Sequence, residues 1–331
     1  MEKIEILPAG SVVGAFKILK KLGSGGSGVV YLAKQMAMDK VVAVKILHQD
    51  MAENPVYIRN FVHEARMAAK LDHPNIIQAL DVGSSGNICY FAMEYVNGVS
   101  LEHIRLKNRS RITLAFVLDV SIALADALSY AWESFRITHG DIKPDNLMIR
   151  HQDNMLKLAD LGLANVAGTA DESAEIMATP LYASPEVIMG KHPDIGVCSD
   201  IYSFGIMLYE LISGAAPFRG DIDEVLRQHL DIVPPPLEEA NPGIDPRLAR
   251  LVAAMTAKAP ADRPASWKEI KNELCSIRST LPEKTDSPAD AFNAPVQEKI
   301  HTRFGVFIVA GIVLLCILLG FLFFMLFQPL N

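Results

Sequence analysis

Strands early in the chain and helices late predict an α+β protein of two unequal lobes. Three observations carry that expectation. Phe16-Lys17-Ile18-Leu19, Val29-Val30-Tyr31-Leu32 and Val41-Val42-Ala43-Val44 are short β-branched or aromatic runs separated by glycine or polar turns. Thr113 to Trp132 places apolar residues at helical spacing. At 331 residues and 50% hydrophobic composition, the chain can bury a sizeable core.

Taken in order, Met1 to Gly10 carries charges at Glu2, Lys3 and Glu5 and no apolar run, so no secretory signal is read there and the N-terminus is expected in the cytoplasm. The three strand runs predict an antiparallel meander. Pro55 to Leu71 then follows a helical pattern, Ile88 to Met93 reads as a further strand, and the Thr113 to Trp132 helix opens the larger lobe. From Ser279 to Val296 the chain turns polar and gains Pro282, Pro288 and Pro295, the composition of a flexible spacer. Phe304 to Phe327 holds no charged residue; over about 23 residues a helix reaches roughly 35 Å, enough to cross a bilayer. Lys299, His301 and Arg303 precede that run and Gln328 to Asn331 is uncharged, which keeps the N-terminal part cytoplasmic by the positive-inside rule. Gly305, Gly311 and Gly320 form no G-x-x-x-G, so a tight pair of spans is not encoded, and a looser homodimer stays open.

The net charge of -7 argues against nucleic acid as a partner. Cys89, Cys198, Cys275 and Cys316 are scattered, without the spacing of a zinc site or a disulfide frame.

The chemistry sits in three short motifs. His139-Gly140-Asp141-Ile142-Lys143-Pro144-Asp145-Asn146 is followed by Asp160-Leu161-Gly162 and preceded by Val42-Ala43-Val44-Lys45. An acid to orient a hydroxyl, a cation on phosphates and further oxygen ligands for a metal are what phosphoryl transfer demands, because its catalysis is mostly positioning and charge neutralisation. Gly23-Ser24-Gly25-Gly26-Ser27-Gly28 lies between two strands, where glycines let backbone N–H groups approach phosphates closely. A Rossmann glycine motif would open a helix; here Val29-Val30-Tyr31 continues as strand, which favours a hairpin lid. Lys45 stands among small and β-branched neighbours, and Glu64 on the following helix is its natural partner.

These residues together resemble the eukaryotic-like (Hanks-type) serine/threonine protein kinases, of the bacterial kind, over about Val13 to Ile277. The resemblance implies a bilobal protein-kinase-like fold, an antiparallel sheet with one helix in the N-lobe and a mainly helical C-lobe. Together with the polar spacer and the apolar run read above, it divides the chain into a tail (1–12), a kinase domain (13–278), a juxtamembrane linker (279–303), a transmembrane helix (304–327) and a short tail (328–331). It implies ATP with Mg2+, or Mn2+ as an alternative, and protein Ser/Thr hydroxyls as acceptors. On it, Leu22, the Gly23 to Gly28 loop and Val30 cover the nucleotide. Lys45 contacts the α- and β-phosphates, held by Glu64; Ala43 and Met148 sandwich the adenine; Met93 is the gatekeeper; Glu94 and Val96 offer backbone hydrogen bonds. Asp141 orients the acceptor hydroxyl, Lys143 neutralises the γ-phosphate, and Asn146 and Asp160 hold the metal. Lys143 accompanies Ser/Thr specificity in that family.

Ala178-Thr179-Pro180-Leu181-Tyr182-Ala183-Ser184-Pro185-Glu186 resembles the segment closing the activation loop, with Glu186 pairing Arg263 and Asp200 bracing the catalytic loop. Gly140 stands where the family usually has Arg to meet a loop phosphate, so activity is expected not to depend on loop phosphorylation at Thr169 or Ser173. His-Gly-Asp followed by Asn is also similar to aminoglycoside and choline kinases, whereas Lys143 and Thr179 to Glu186 favour protein acceptors. A pseudokinase scaffold is the third reading, set against the presence of Lys45, Asp141 and Asp160.

Overall fold

The computed structural model describes residues 7–160, 179–191 and 195–282. The expected juxtamembrane linker beyond residue 282, the span at 304–327, and Thr169 and Ser173 lie outside these residues.

Six antiparallel strands form the first sheet in the order β1-β2-β3-β4-β6-β5: β1 (Val12–Val13), β2 (Phe16–Ser24), β3 (Gly28–Gln35), β4 (Lys40–Leu47), β5 (Ala79–Ser85) and β6 (Ile88–Glu94). The expected meander is β2, β3 and β4. One face alternates Phe16, Ile18, Tyr31, Ala33, Val42 and Val44 into a buried cluster closed by Tyr90, as the two-residue period of a half-buried strand requires. The other face receives α2 (Pro55–Ala68), whose Phe61 and Ala65 pack with Leu47, Phe91 and Met93. Asn54 caps this helix by accepting from Val56 N at 2.9 Å, and Pro55 sits at the first turn, where a missing N–H costs nothing. Short α1 (Gln49–Ala52) precedes it.

A three-stranded sheet, β7 (Gly98–Ser100), β8 (Leu147–Arg150) and β9 (Leu156–Leu158), carries the catalytic segments in the second lobe. The lobes are joined where Leu158 N donates to Asn75 O at 2.7 Å and Ile77 N to Leu158 O at 2.9 Å. Helices α3 (Leu101–Lys107), α4 (Leu114–Phe135), α5 (Pro185–Ile188), α6 (Val197–Ser213), α7 (Ile222–Asp231), α8 (Leu237–Ala240), α9 (Pro246–Met255) and α10 (Trp267–Arg278) complete it. Thr113 is the N-cap of α4, accepting from Phe116 N at 3.2 Å, and Arg136 ends the helix at φ 56°. Helix α4 is long and apolar enough to cross a membrane. Leu118, Leu124 and Ala127 are nevertheless wholly buried, and Arg278 of α10 bonds its Asp119 at 2.7 Å, so it serves as the core helix of the lobe.

Candidate active site

Lys45, on β4, reaches the carboxylate expected of it, Glu64 Oε1 at 3.2 Å, and also Asp160 Oδ1 at 2.9 Å, a residue expected only as a metal ligand. Burial works against its charge, but Asp160 and then Glu64 hold its pKa above the ordinary lysine value. For Asp160 burial pushes upward and the Lys45 ammonium outweighs it, keeping the carboxyl below its usual range. Glu64 is raised by burial, which Lys45 only partly offsets. Asp160 adopts φ 52°, a left-handed conformation uncommon for a side-chain-bearing residue and one that clusters at functional sites.

The catalytic loop is fixed from beneath. Asp200, buried in α6, accepts from His139 N at 2.6 Å and Gly140 N at 2.8 Å. Burial pushes its carboxyl up, against those two backbone donors. Gly140 takes φ 79°, which glycine adopts without strain. The His139 ring receives Asp141 N at Nδ1 (3.2 Å) and bonds Ala159 O through Nε2 (3.0 Å), a pattern that fits the neutral tautomer with its proton on Nε2. One imidazole thus ties the loop to the strand leading to Asp160.

Around Asp141 the expected partners converge. Lys143 Nζ lies 2.6 Å from Asp141 Oδ2 and donates to Thr179 Oγ1 at 2.7 Å, while Thr179 Oγ1 donates to Asp141 Oδ1 at 2.7 Å. Asn146 Nδ2 donates to the Asp141 carbonyl at 2.7 Å and to Oδ2 at 3.1 Å. That leaves Asn146 Oδ1 as an oxygen ligand, and Asp160 has a second carboxylate oxygen outside its bond to Lys45. Two protein oxygens suit Mg2+ that takes the rest of its shell from phosphates and water. Among the described residues no cluster of three or more His, Cys, Asp or Glu stands ready to hold a metal unaided.

The glycine loop joins β2 to β3, Gly25 N donating to Gly28 O at 2.9 Å. A side chain at Gly28 would collide with the Ile46 carbonyl, so that glycine is demanded by the protein's own packing. Gly23, Gly25 and Gly26 are different: none has a left-handed φ, and a Cβ added at any of them meets nothing within 4 Å. Neither strain nor packing calls for them, which points to close approach of a ligand, and the cradle fits a polyphosphate. Ser24 ends β2 and Ser27 O accepts from His48 N at 3.2 Å; Leu22 is exposed on β2 beside them. Val30 packs on the cluster that contains Ala43 and Met93, which are opposite one another in the β4–β6 register. Val96 is buried just past β6, and Met148 stands half-buried on β8, two residues beyond Asn146. The Glu94 N–H is committed to Gln78 O at 2.9 Å, so any bond this residue gives an adenine comes from its carbonyl.

Several supports were not expected from the sequence. His48 Nε2 bonds Gly25 O at 2.9 Å and braces the loop. Lys157, on β9, pairs with Glu94 Oε2 at 2.8 Å across the lobes. Tyr182 donates to Glu210 at 2.7 Å, and Arg105 lies 3.4 Å from the same carboxylate. His229, wholly buried on α7, bonds Tyr202 (3.0 Å) and Leu181 O (3.1 Å), holding the segment after Thr179 from below. Each joins residues too distant in sequence to leave a local signal. The anticipated Glu186–Arg263 pair is present, bidentate at 2.7 and 2.9 Å.

Comparison with known proteins matches this geometry. The protein kinase domain profile fits residues 16–274. PrkC of Bacillus subtilis, a serine/threonine-protein kinase, is 33% identical over 269 residues, covering 80% of this chain and 40% of PrkC. Serine/threonine-protein kinase PknA of Mycobacterium tuberculosis is 32% identical over 302 residues, covering 88% of this chain and 68% of PknA. The crystal structure of the M. tuberculosis PknI kinase domain superposes with a TM-score of 0.66 at 27% identity, covering 82% of this chain and 99% of that one. The chain spans about two fifths of the length of PrkC and of a similar probable serine/threonine-protein kinase from Clostridium acetobutylicum, 40% in each case. With its Lys45, Asp141 and Asp160 set in a two-lobed scaffold of this kind, the chain belongs to the protein kinase domain family.

Proposed function

We propose that this chain is an ATP-dependent serine/threonine protein kinase, held at the cytoplasmic face of a membrane by residues 304–327. The carrying observation is the closed bond circuit Asp141–Thr179–Lys143 standing beside the Lys45–Asp160 pair. ATP with its divalent metal supplies the phosphoryl group and partial neutralisation of its charge. Asp141 orients an acceptor hydroxyl and takes its proton as oxygen bonds phosphorus and the bond to ADP breaks. Lys143 stabilises charge on the transferring group, and Lys45, fixed by Glu64, holds the remaining phosphates. Asn146 and Asp160 would hold Mg2+; Mn2+, a hard cation of the same ligand preference, is a candidate substitute. Leu22, Gly23 to Gly28, Val30, Ala43, Met93, Glu94, Val96 and Met148 form the nucleotide site on this reading.

The acceptors are protein Ser and Thr, including the chain's own. Thr179 at Asp141 favours this over a small-molecule acceptor, because it places a peptide segment against the catalytic acid. Activity independent of loop phosphorylation is part of the proposal, since Gly140 carries no guanidinium to meet a phosphate. The kinase domain is assigned to 13–278 and the linker to 279–303.

The test is transfer of labelled γ-phosphate by the full chain in detergent, beside Asp141→Asn, to itself, to a basic protein, and to aminoglycosides and choline. Phosphoserine or phosphothreonine lost in Asp141→Asn supports the proposal; transfer only to small molecules, or nucleotide binding without transfer, overturns it. Thr169→Ala with Ser173→Ala should leave turnover within about tenfold, a barrier change below about 1.4 kcal/mol.

A further inference from the structure

Exposed large apolar side chains are unevenly spread over the described residues. Val12, Leu19, Leu22, Met36, Met38 and Val41, six of thirteen, lie between β1 and β4. Leu22 belongs to the nucleotide loop; the other five have no role there. Lys17, Lys20, Lys21, Lys34 and Lys40 stand among them against one carboxylate, Asp39, so five positive charges and one negative leave +4 on this stretch of a chain whose net charge is -7.

The register places four of these residues on one surface. Val12 faces Lys17, Lys17 faces Lys34 and Lys34 faces Val41, and directly opposed residues share a face, so the four form a row across β1, β2, β3 and β4. Gln35 pairs with Lys40 and closes the β3–β4 hairpin, whose tip carries Met36 and Met38, 49% and 65% exposed. Met36 N donates to Ala15 O at 3.0 Å and pins the tip to the β1–β2 turn. Lys34 pairs with Asp39, which leaves the other four lysines of this stretch without a carboxylate of the stretch to match them.

We propose that this face, led by the Met36–Met38 hairpin tip, docks on an anionic lipid bilayer. The inference rests on the membrane-anchored reading given above, which brings the domain to a bilayer. A projecting tip with two unbranched apolar side chains, flanked by Lys34 and Lys40, fits the boundary between headgroups and acyl chains. The thioethers enter the apolar side and the ammonium groups reach lipid phosphates on their long stems. The segregation of charge selects an anionic surface over a neutral one. Tethering by residues 304–327 raises the local concentration of lipid, so each contact need contribute only modestly.

The full chain would be placed in nanodiscs of phosphatidylcholine, or of phosphatidylcholine mixed with phosphatidylglycerol, and treated with dilute peroxide. Oxidation of each methionine would then be followed by peptide mass spectrometry. Met189, 47% exposed in the other lobe, is the internal control. Met36 and Met38 should oxidise at least about threefold more slowly in the anionic discs, with Met189 unchanged, and the protection should vanish in high salt and in a Lys17→Glu, Lys34→Glu, Lys40→Glu triple variant. That variant should keep its kinase activity in detergent, since none of the three lysines belongs to the catalytic or nucleotide site. Equal oxidation in both discs overturns the proposal. So does protection conferred by polyglutamate and not by anionic lipid, which would assign the face to an acidic protein. If the chain does not enter the discs, the anchoring reading fails instead, and the same assay with phosphatidylglycerol vesicles judges the surface alone.

Discussion

Replacing Arg263 by Met separates the support of the substrate-facing segment from its chemistry. The Arg263 and Glu186 side chains are 0% and 1% exposed and meet through two hydrogen bonds of 2.7 and 2.9 Å. Ser199 Oγ adds a third donor to Glu186 at 2.6 Å, and Arg263 also donates to the carbonyls of Ala257, Cys198 and Lys258. Removing the guanidinium leaves a carboxylate buried with one hydroxyl for company and three carbonyls without their donor. Breaking a buried pair from one side costs about 3–5 kcal/mol, a large part of the roughly 5–15 kcal/mol that holds a domain folded. Glu186→Gln keeps the shape and the Ser199 bond, so it should cost less, about 2 kcal/mol. The double variant should then cost at least about 1 kcal/mol less than the sum, because the second change relieves the charge stranded by the first. Urea unfolding of the full chain in detergent, followed by tryptophan fluorescence, measures all three. Additive costs, or an Arg263→Met cost under about 1 kcal/mol, would show that the pair is not the brace its geometry indicates. Glu186 sits in the first turn of α5, four residues after the Thr179 to Tyr182 turn, so turnover should fall in both single variants at temperatures where they remain folded.

Thr179→Val removes the hydroxyl bonded to both Asp141 and Lys143. Turnover should fall by about 10²-fold or more with KM for ATP little changed, and Thr179→Ser should restore most of it; a Val variant of normal turnover would refute the role. Lys157→Met deletes the 2.8 Å pair with Glu94 beside the adenine site; KM for ATP should rise about fivefold with kcat retained, as expected of lost uniform binding, and a selective loss of kcat would contradict this. His229 is held down to about 4, first by burial and then by Lys258, against an ordinary value of 6.5. The folded state therefore binds fewer protons than the unfolded one as pH drops below 6.5, and stability present above that pH is lost on acidification. At pH 5 the loss from this residue should be about 2 kcal/mol. His229→Gln, less stable throughout, should lack that part of the slope between pH 7 and pH 5, and parallel slopes would locate the acid sensitivity elsewhere.

The sequence made the chemistry legible wherever function and local structure share one short segment. Lys45 could be placed because a strand of Val and Ala leaves few roles for an interior cation, and the expected partner Glu64 lies at 3.2 Å; the further pair with Asp160 at 2.9 Å was not expected. Element edges were less legible for local reasons. Phe16 to Leu19 reads as a strand, yet β2 continues through Lys20 and Lys21 to Ser24, because bulges between Ile18 and Lys20 and between Lys21 and Gly23 break the alternation. Thr113 looks like the first helical residue but is the cap. Ala79–Ser85 is strand although its small and polar residues carry no β signal, since pairing with β6 fixes it.

What stayed hidden consists of closures between distant positions. Asp200 reaches His139 across 61 residues and Lys157 reaches Glu94 across 63. The first could be anticipated because the resemblance supplies it; the second could not, since a lysine on a short strand and a glutamate ending another are each ordinary surface types by sequence. The difference has a physical consequence for where the chain tolerates change. Groups that touch the reacting atoms sit in motifs and admit almost no substitution. The closures set only the distance between those motifs, and any pair of matching reach and charge can do that. Exchanging Lys157 and Glu94 should therefore preserve far more nucleotide affinity than either single change, whereas no compensating change should rescue Asp141→Asn.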